Sequence, residues 1–542
     1  MLVVQFVILL LANILKCFDL QTDVSIMKFK GEKNMELNQE TRSFCTPVTV
    51  LDTVAEQLAD VDLTLPDYCP DIEKILKCTL TPKIQSKSLS GGQLQVEGFC
   101  VVNVMYVESI NNTIRCCEQS VNFTQNFSVK DAGDSPVIVT KTKSEYINCR
   151  ALSPRRLVMH GAFSLYAKVI ANEYIELYSN DNPDLETLSY TSKCADLKSL
   201  CQENFSVSEE LSVADKPAIE SILHSDISVG ITDAKAVTGK LMLNGEINLR
   251  LFYLTDIQSG ETGKIDYILP FNQIIDCKGI DEETINCITI EVMSYDIRLK
   301  NDMLSDKPAI ALDVKLCVTE EGYVVNDEKV ITDAYSIKYA SEPKFKKMTM
   351  CEEVVPVNES HMQKMEISVE NNKISKVLDI YTDHITAEPS ADNGELKIIG
   401  KITVCMFALD EEGMPMFIER SCDFSHAMSF GDCNTVSNVS ARASSISYRL
   451  ADDNTVEIRC EIKLGGCAVC LKSVNAVCET EIFEDRPIKS DGCALTLYFA
   501  GKGEKLWEIA KSHNTRLDML MNENSTDCEC LDSPQMLLIP KI

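Results

Sequence analysis

The chain has 542 residues, 45% hydrophobic and 25% charged, which is enough material for several cores and too much for one. Its formal net charge of −30 excludes a nucleic-acid partner, because phosphate binding needs clustered Lys and Arg, and it opposes adhesion to an anionic membrane surface. The 24 cysteines are spread along the chain without a dense framework, and Cys116 and Cys117 are adjacent. They read as reduced, apolar thiols of a reducing compartment, so the sequons Asn122-Phe-Thr124 and Asn438-Val-Ser440 carry no glycan on this reading.

Residues 1–34 open with MLVVQFVILLLANILKCF, which has no cation before Lys16 and no small-residue cleavage site, and is therefore a poor signal peptide. The apolar run is also shorter than the roughly 20 residues that cross a bilayer. Lys30-Gly31-Glu32-Lys33-Asn34-Met35 can be encoded by AAA GGA GAA AAA AAT ATG, a purine-rich ribosome-binding site, a spacer and a start codon. The expectation is that 1–34 is a mis-assigned 5′ extension and that the natural chain begins at Met35. A membrane anchor is the alternative.

Next comes a unit that recurs. Residues 70–106 begin PDIEKILKCTL, and residues 217–253 begin PAIESILHSDI. Aligned without a gap, Pro70, Ile72, Glu73, Ile75 and Leu76 fall on Pro217, Ile219, Glu220, Ile222 and Leu223. Gly92, Leu94, Gly98 and Tyr106 fall on Gly239, Leu241, Gly245 and Tyr253. A third copy places Ile374, Val377, Leu378, Gly394, Leu396 and Gly400 at the same spacing. Such repetition points to tandem domains.

Apolar residues then alternate in each copy: Leu94, Val96, Cys100, Val102, Val104; Leu241, Leu243, Ile247, Leu249, Leu251; Leu396, Ile398, Ile402, Val404, Met406. Period two predicts a half-buried strand. The glycine inside each alternation (Gly98, Gly245, Gly400) marks a bulge or a close backbone crossing. Gly91-Gly92 and Asn393-Gly394 are turn signals. Further strands are expected at 309–318 and 455–464, with one short helical or 3₁₀ stretch near each Ile-x-x-Ile-Leu run. The expected fold is mainly β: repeats at 35–200, 201–345 and 346–488, then a small α+β domain at 489–542.

The repeats resemble the SPOCS domain of endospore-forming Firmicutes, most clearly at LPDYCPDIEKIL (65–76). The resemblance implies a part in sporulation and spore-coat assembly and brings no catalytic residue with it.

Residues 497–540 predict a β-α-α-β order. Leu497 and Phe499 lie on a short strand, followed by a turn at Gly501-Lys-Gly503. Leu506, Ile509 and Ala510 at helical spacing give a first helix. Thr515 and Asp518 resemble a capping box opening a second helix with Leu517, Leu520 and Met521, and Met536–Pro540 closes the unit. This module resembles a LysM domain, whose text runs near V-x-x-GDTLWxIAxxY…LxxxN…PGQxLxIP. Gly503, Leu506, Trp507, Ile509, Ala510, Leu517, Leu520, Asn524, Pro534, Gln535, Leu537, Ile539 and Pro540 match.

The LysM resemblance implies a groove for N-acetylglucosamine chains between two loops. Glu504-Lys505 replaces the usual Asp-Thr, the Gly between Pro534 and Gln535 is missing, and Asp527-Cys-Glu-Cys530 is inserted nearby. These departures favour a protein partner over a glycan. The residues expected to contact either one are Gly503, Glu504, Lys505, Leu506, Trp507, Asn524, Ser525, Pro534 and Gln535. Trp507, the only tryptophan, reads first as core packing.

Catalytic constellations find little support. Cys467-Ala-Val-Cys470 has no second pair at zinc-ribbon spacing and reads as core thiols, and Cys528-Glu-Cys530 is a weak metal or redox signal. His160, His224, His361, His384, His426 and His513 are scattered, without an HExxH. There is no GxSxG elbow, and GETGKI (260–265) reads as a hairpin turn. Glu320-Glu321 and Glu411-Glu412, each beside a glycine, read as solvated hairpin tips.

No enzyme, cofactor or metal is expected. The domain order resembles SipL-type spore-envelope proteins of clostridia. That resemblance implies a scaffold on the mother-cell cytoplasmic side of the forespore, its LysM end engaging the coat's basement-layer morphogenetic ATPase. The alternative is a peptidoglycan- or cortex-binding wall protein.

Overall fold

The structure, a computed structural model, describes residues 42–541 apart from 131, 134, 214, 301–308, 370–372, 393, 431–433 and 490–491. The expectations for residues 1–34, and the turn at Asn393, lie outside the described residues. Six three-stranded antiparallel sheets and one two-stranded sheet are found among them.

One topology occurs three times. The first copy runs β1 (Arg42–Thr64), β2 (Ile72–Ser90), β3 (Gln93–Glu108), β4 (Ile114–Ser128), β5 (Val137–Ser153) and β6 (Arg156–Leu177). The second runs β7 (Leu185–Ser212), β8 (Ser221–Val237), β9 (Lys240–Asp256), β10 (Glu261–Asp276), β11 (Ile285–Lys300) and β12 (Ala309–Ser336). The third runs β13 (Tyr339–Ser368), β14 (Ile374–Asp392), β15 (Glu395–Asp410), β16 (Pro415–Ser429), β17 (Asn434–Leu450) and β18 (Thr455–Pro487). In each, the second to fourth strands form a meander, and the first strand pairs with the sixth, which also holds the fifth. Positions 200/201 and 345/346, where the sequence reading divided the repeats, lie inside β7 and β13.

The alternation read from sequence is the central strand of each meander. Val96, Ile247 and Ile402 are among its inward residues, all of them at most 1% exposed. The embedded glycines follow from packing. Gly98 pairs with Phe123, Gly245 with Phe271 and Gly400 with Phe424, and each phenyl ring lies where a glycine Cβ would project. Opposite Gly98 and Gly245 the neighbouring strand carries a bulge, at Ile84/Ser86 and Ile231/Asp233. Bulge and close crossing therefore occur together.

The expected helical stretch is absent: Ile-x-x-Ile-Leu lies on β2 in the first copy and on β8 in the second from Ser221. Bulges between Ile72/Lys74, Ile75/Lys77 and Ile222/His224 explain the misreading. Each bulge adds a residue to the strand, so inward positions recur at a spacing of three, which imitates a helix.

The three copies share cores. Leu76, Leu223 and Leu378 are equivalent positions, as are Met105, Phe252 and Phe407, and all six pack in one cluster. Phe252 and Phe407 stack at 5.7 Å. A second shared cluster joins Phe44 and Ile175, Cys194 and Val330, and Met350 and Val474. Equivalent residues meeting in this way indicate an approximately threefold arrangement. Cys287 on β11 is disulfide-bonded to Cys467 on β18, which ties the second copy to the third. This corrects the reading of Cys467 as a reduced thiol: it is buried, but oxidised. No helix among the described residues is long and apolar enough to cross a membrane.

Candidate interaction site

The C-terminal module follows the expected order: β19 (Leu495–Ala500), α1 (Leu506–His513), α2 (Leu517–Glu523) and β20 (Gln535–Pro540), with β19 and β20 antiparallel. Leu506, Ile509 and Ala510 face the module's interior beside Leu520, Leu537 and Ile539. Asn514 ends α1 in the left-handed region at φ 50° and returns its N–H to Lys511 O, a common helix stop. The capping box is not formed: Arg516 occupies the cap position without a side-chain bond. Thr515 is instead fully buried and donates its hydroxyl to Pro540 O at 2.6 Å, closing the module on its last strand.

Trp507 and Lys511 stand one turn apart on the other face of α1, and both reach the second repeat. The Trp507 indole N–H donates to Asp333 Oδ2 at 2.7 Å, and Lys511 Nζ lies 2.7 Å from both Asp333 oxygens. Tyr335 packs edge-on against Trp507 at 5.0 Å and donates to Thr515 O at 2.6 Å. Burial, with the Glu186 and Asp333 carboxylates nearby, pushes the Tyr335 phenol well above its usual range. A bulge in β12 between Ile331 and Asp333 re-aims the strand at this point. Trp507 is 5% exposed and belongs to an interface between module and repeat as well as to a core.

The two loops expected to flank a groove are bonded to each other. Gly503 N–H donates to Leu531 O at 2.8 Å, Leu531 N–H to Glu504 O at 3.0 Å, and Leu506 N–H to Glu529 O at 3.1 Å. Lys505 bridges Cys530. Glu504 accepts from Gly501 N–H and from the Tyr498 hydroxyl, a bond that raises the pKa of that phenol. Asn524 clamps β20: its amide accepts from Leu538 N–H and donates to Leu538 O, each at 2.7 Å. Ser525 sits at φ 48° and is exposed, as is Pro534, while Gln535 pairs with Ala500. Of the nine residues expected to make contact, Leu506 and Trp507 are buried, and Asn524 holds the fold together.

The outer face of the module's sheet was missed as a site. Leu495, Leu497, Phe499 and Met536 are 46%, 67%, 67% and 58% exposed, and Phe499 is paired with Met536. Four large apolar side chains together on one small sheet make this face a candidate contact surface, whereas scattered ones would not. The sequence shows the alternation of β19, but Tyr498 and Ala500 make its other face apolar too, so the pattern alone does not tell which face the helices cover.

One motif reading is corrected: Glu320-Glu321 lies within β12, and Glu320 is fully buried, so it is no hairpin tip. Glu411-Glu412 is an exposed turn, as expected, but GETGKI is not the expected hairpin turn: the turn spans 257–260, so only Gly260 lies in it and 261–265 begin β10.

Comparison with known families matches residues 71–152 and 218–300 to the family described as SipL, SPOCS domain. These stretches lie in the first two structural repeats. Neither a curated protein nor a solved structure matches the chain.

Proposed function

We propose that the chain is a non-enzymatic sporulation scaffold whose C-terminal, LysM-like module docks onto a protein of the spore coat. Homology to the SipL/SPOCS domain over two of its repeats supports a sporulation-related, non-catalytic role. Three sandwiches sharing two cores give a stiff body, suited to holding other components at fixed separations.

The observation that carries the docking is the exposed sheet face Leu495–Leu497–Phe499 with Met536. Flat, aromatic-bearing apolar surface suits a protein partner, where a few central side chains supply most of the affinity. A glycan needs free backbone amides in its groove. Here the N–H groups of Gly503, Leu506 and Leu531 are already used between the loops. The partner implied by resemblance is the coat's basement-layer morphogenetic ATPase, and with that partner the proposed location is the mother-cell side of the forespore. The runner-up remains a peptidoglycan-binding protein, on the strength of the LysM-like text alone.

Titration of the full chain separates the two readings. Saturable binding to the ATPase, with no response to chitooligosaccharides, is expected. Saturable binding to the sugar without the ATPase would overturn the proposal.

A further inference from the structure

In the second repeat, three groups with metal-ligand chemistry converge. Cys201 on β7 and Glu320 on β12 are direct partners in the antiparallel ladder. Cys277, one residue beyond β10, arrives from the facing meander. The two sulfurs lie 2.6 Å apart, Cys201 Sγ is 3.6 Å from Glu320 Oε2, and all three ligand atoms fall within 4.8 Å of one another. Cys277 and Glu320 are fully buried and Cys201 is half-buried, so the cluster is shielded yet reachable from one side.

Two observations point to a cation there. Glu320 Oε2 accepts from the Ser199 hydroxyl at 2.6 Å, but Oε1 is buried without a hydrogen-bond partner. Gly322 leaves the room this oxygen occupies, since a Cβ there would sit 2.5 Å from it. In addition, the charged group acting most strongly on Glu320 is another acid, Glu321. The contrast is the group Asp383, Cys405 and Glu419, where Lys77 is already the cation, 2.5 Å from Glu419 and 3.5 Å from Asp383. In the second repeat no cationic side chain is among the groups that act most on Glu320.

We propose that Cys201, Cys277 and Glu320 form a structural site for a thiophilic divalent cation, Zn²⁺ fitting the donor set best. Two thiolates and a carboxylate suit this ion, whose tetrahedral shell with Zn–S near ~2.3 Å spreads the sulfurs by about 1 Å through side-chain rotation. Each thiol releases its proton to solvent on binding, and the carboxyl releases any it holds. Two thiolates, one carboxylate and Zn²⁺ then leave a single negative charge, with water as fourth ligand from the Cys201 side. The ion pins the β7–β12 ladder to the end of β10 and so joins the two sheets of the second sandwich. This departs from the expectation of no metal.

The test is anaerobic titration of the full-length, reduced chain with Co²⁺, followed by Zn²⁺. One equivalent of Co²⁺ showing thiolate-to-cobalt charge-transfer absorption, displaced by Zn²⁺, is expected. That band should be absent in C201S and C277S, and Glu320→Gln should weaken binding at least tenfold. Should those variants fail to fold, Zn²⁺ in the wild-type chain should still shield Cys201 and Cys277 from alkylation, read by peptide mass. No band in the wild type, an undiminished band in both cysteine variants, or no shielding overturns the proposal. So does a Cys201–Cys277 disulfide that persists under reductant.

Discussion

The indole N–H of Trp507 donates to the Asp333 carboxylate at 2.7 Å, joining the C-terminal module to the last turn-ward stretch of β12. Asp333 also takes Lys511, so one carboxylate serves two donors at a nearly closed interface. Asp333→Ala leaves the indole N–H and the ammonium without their acceptor. The expected cost to docking of the module on the second repeat is about 2 kcal/mol, in the range of charge-assisted bonds. Trp507 is the sole tryptophan, so its emission reports the change directly. A red shift and faster proteolysis between β18 and β19 are expected, and an unchanged spectrum would count against this interface.

Gly245→Ala tests the glycine–phenylalanine pairs. The added methyl overlaps the Phe271 ring, and overpacking of this kind costs about 1–3 kcal/mol. Phe271→Leu in the same chain should recover part of that loss, because the two changes act on one contact. Urea unfolding of both single variants and the double variant measures the coupling. Simple additivity would show that the ring is not the obstacle.

Phe252→Ala probes the cluster shared by the three repeats. Truncating a buried phenylalanine costs about 3–5 kcal/mol. Because Phe252 stacks on Phe407 and packs in the cluster that holds Met105, amide hydrogen exchange should accelerate in all three repeats. Acceleration confined to the second repeat would mean that the copies fold independently.

Glu320 makes a pH prediction for chelator-treated protein. Burial raises its carboxyl from the ordinary 4.5 to about 7, opposed by bonds from Ser199 and Cys201. Below pH 4.5 both folded and unfolded chains hold the proton, and nothing is lost. As pH rises from there to about 7 the unfolded chain ionises first, so stability falls, by about 3 kcal/mol once both are ionised. Glu320→Gln removes this dependence. At about pH 8 the variant should unfold at higher urea than the metal-free wild type, and the gap should close toward pH 4.5. A gap that widens on acidification would contradict the assignment.

The three copies and their central strands were legible because period-two burial writes itself directly into sequence, as in Leu94, Val96 and Val102. The strand identity of Ile72, Ile75 and Leu76 was not, since bulges change the spacing to one a helix also uses. The β-α-α-β order of the module was readable from Leu506, Ile509 and Ala510. Which face of β19 meets solvent was not, because both faces carry apolar residues and only the position of the helices decides. Asp333 and Tyr335 lie more than 170 residues from Trp507, and no local pattern links them. Glu320 was misread for a related reason: an acid beside glycine usually marks a turn, and only the arrival of Cys277 from another sheet shows why it is buried.

The most direct test of docking through the module is the position of the full-length chain in sporulating cells, followed as a fluorescent fusion, for the wild type and for L497D/F499D. Both replaced side chains are two-thirds exposed, so the folded state should be untouched. The expected result is a wild-type ring at the forespore and a double variant dispersed through the mother cell at equal abundance. A double variant that still forms the ring would contradict the claim that this sheet face recruits the protein.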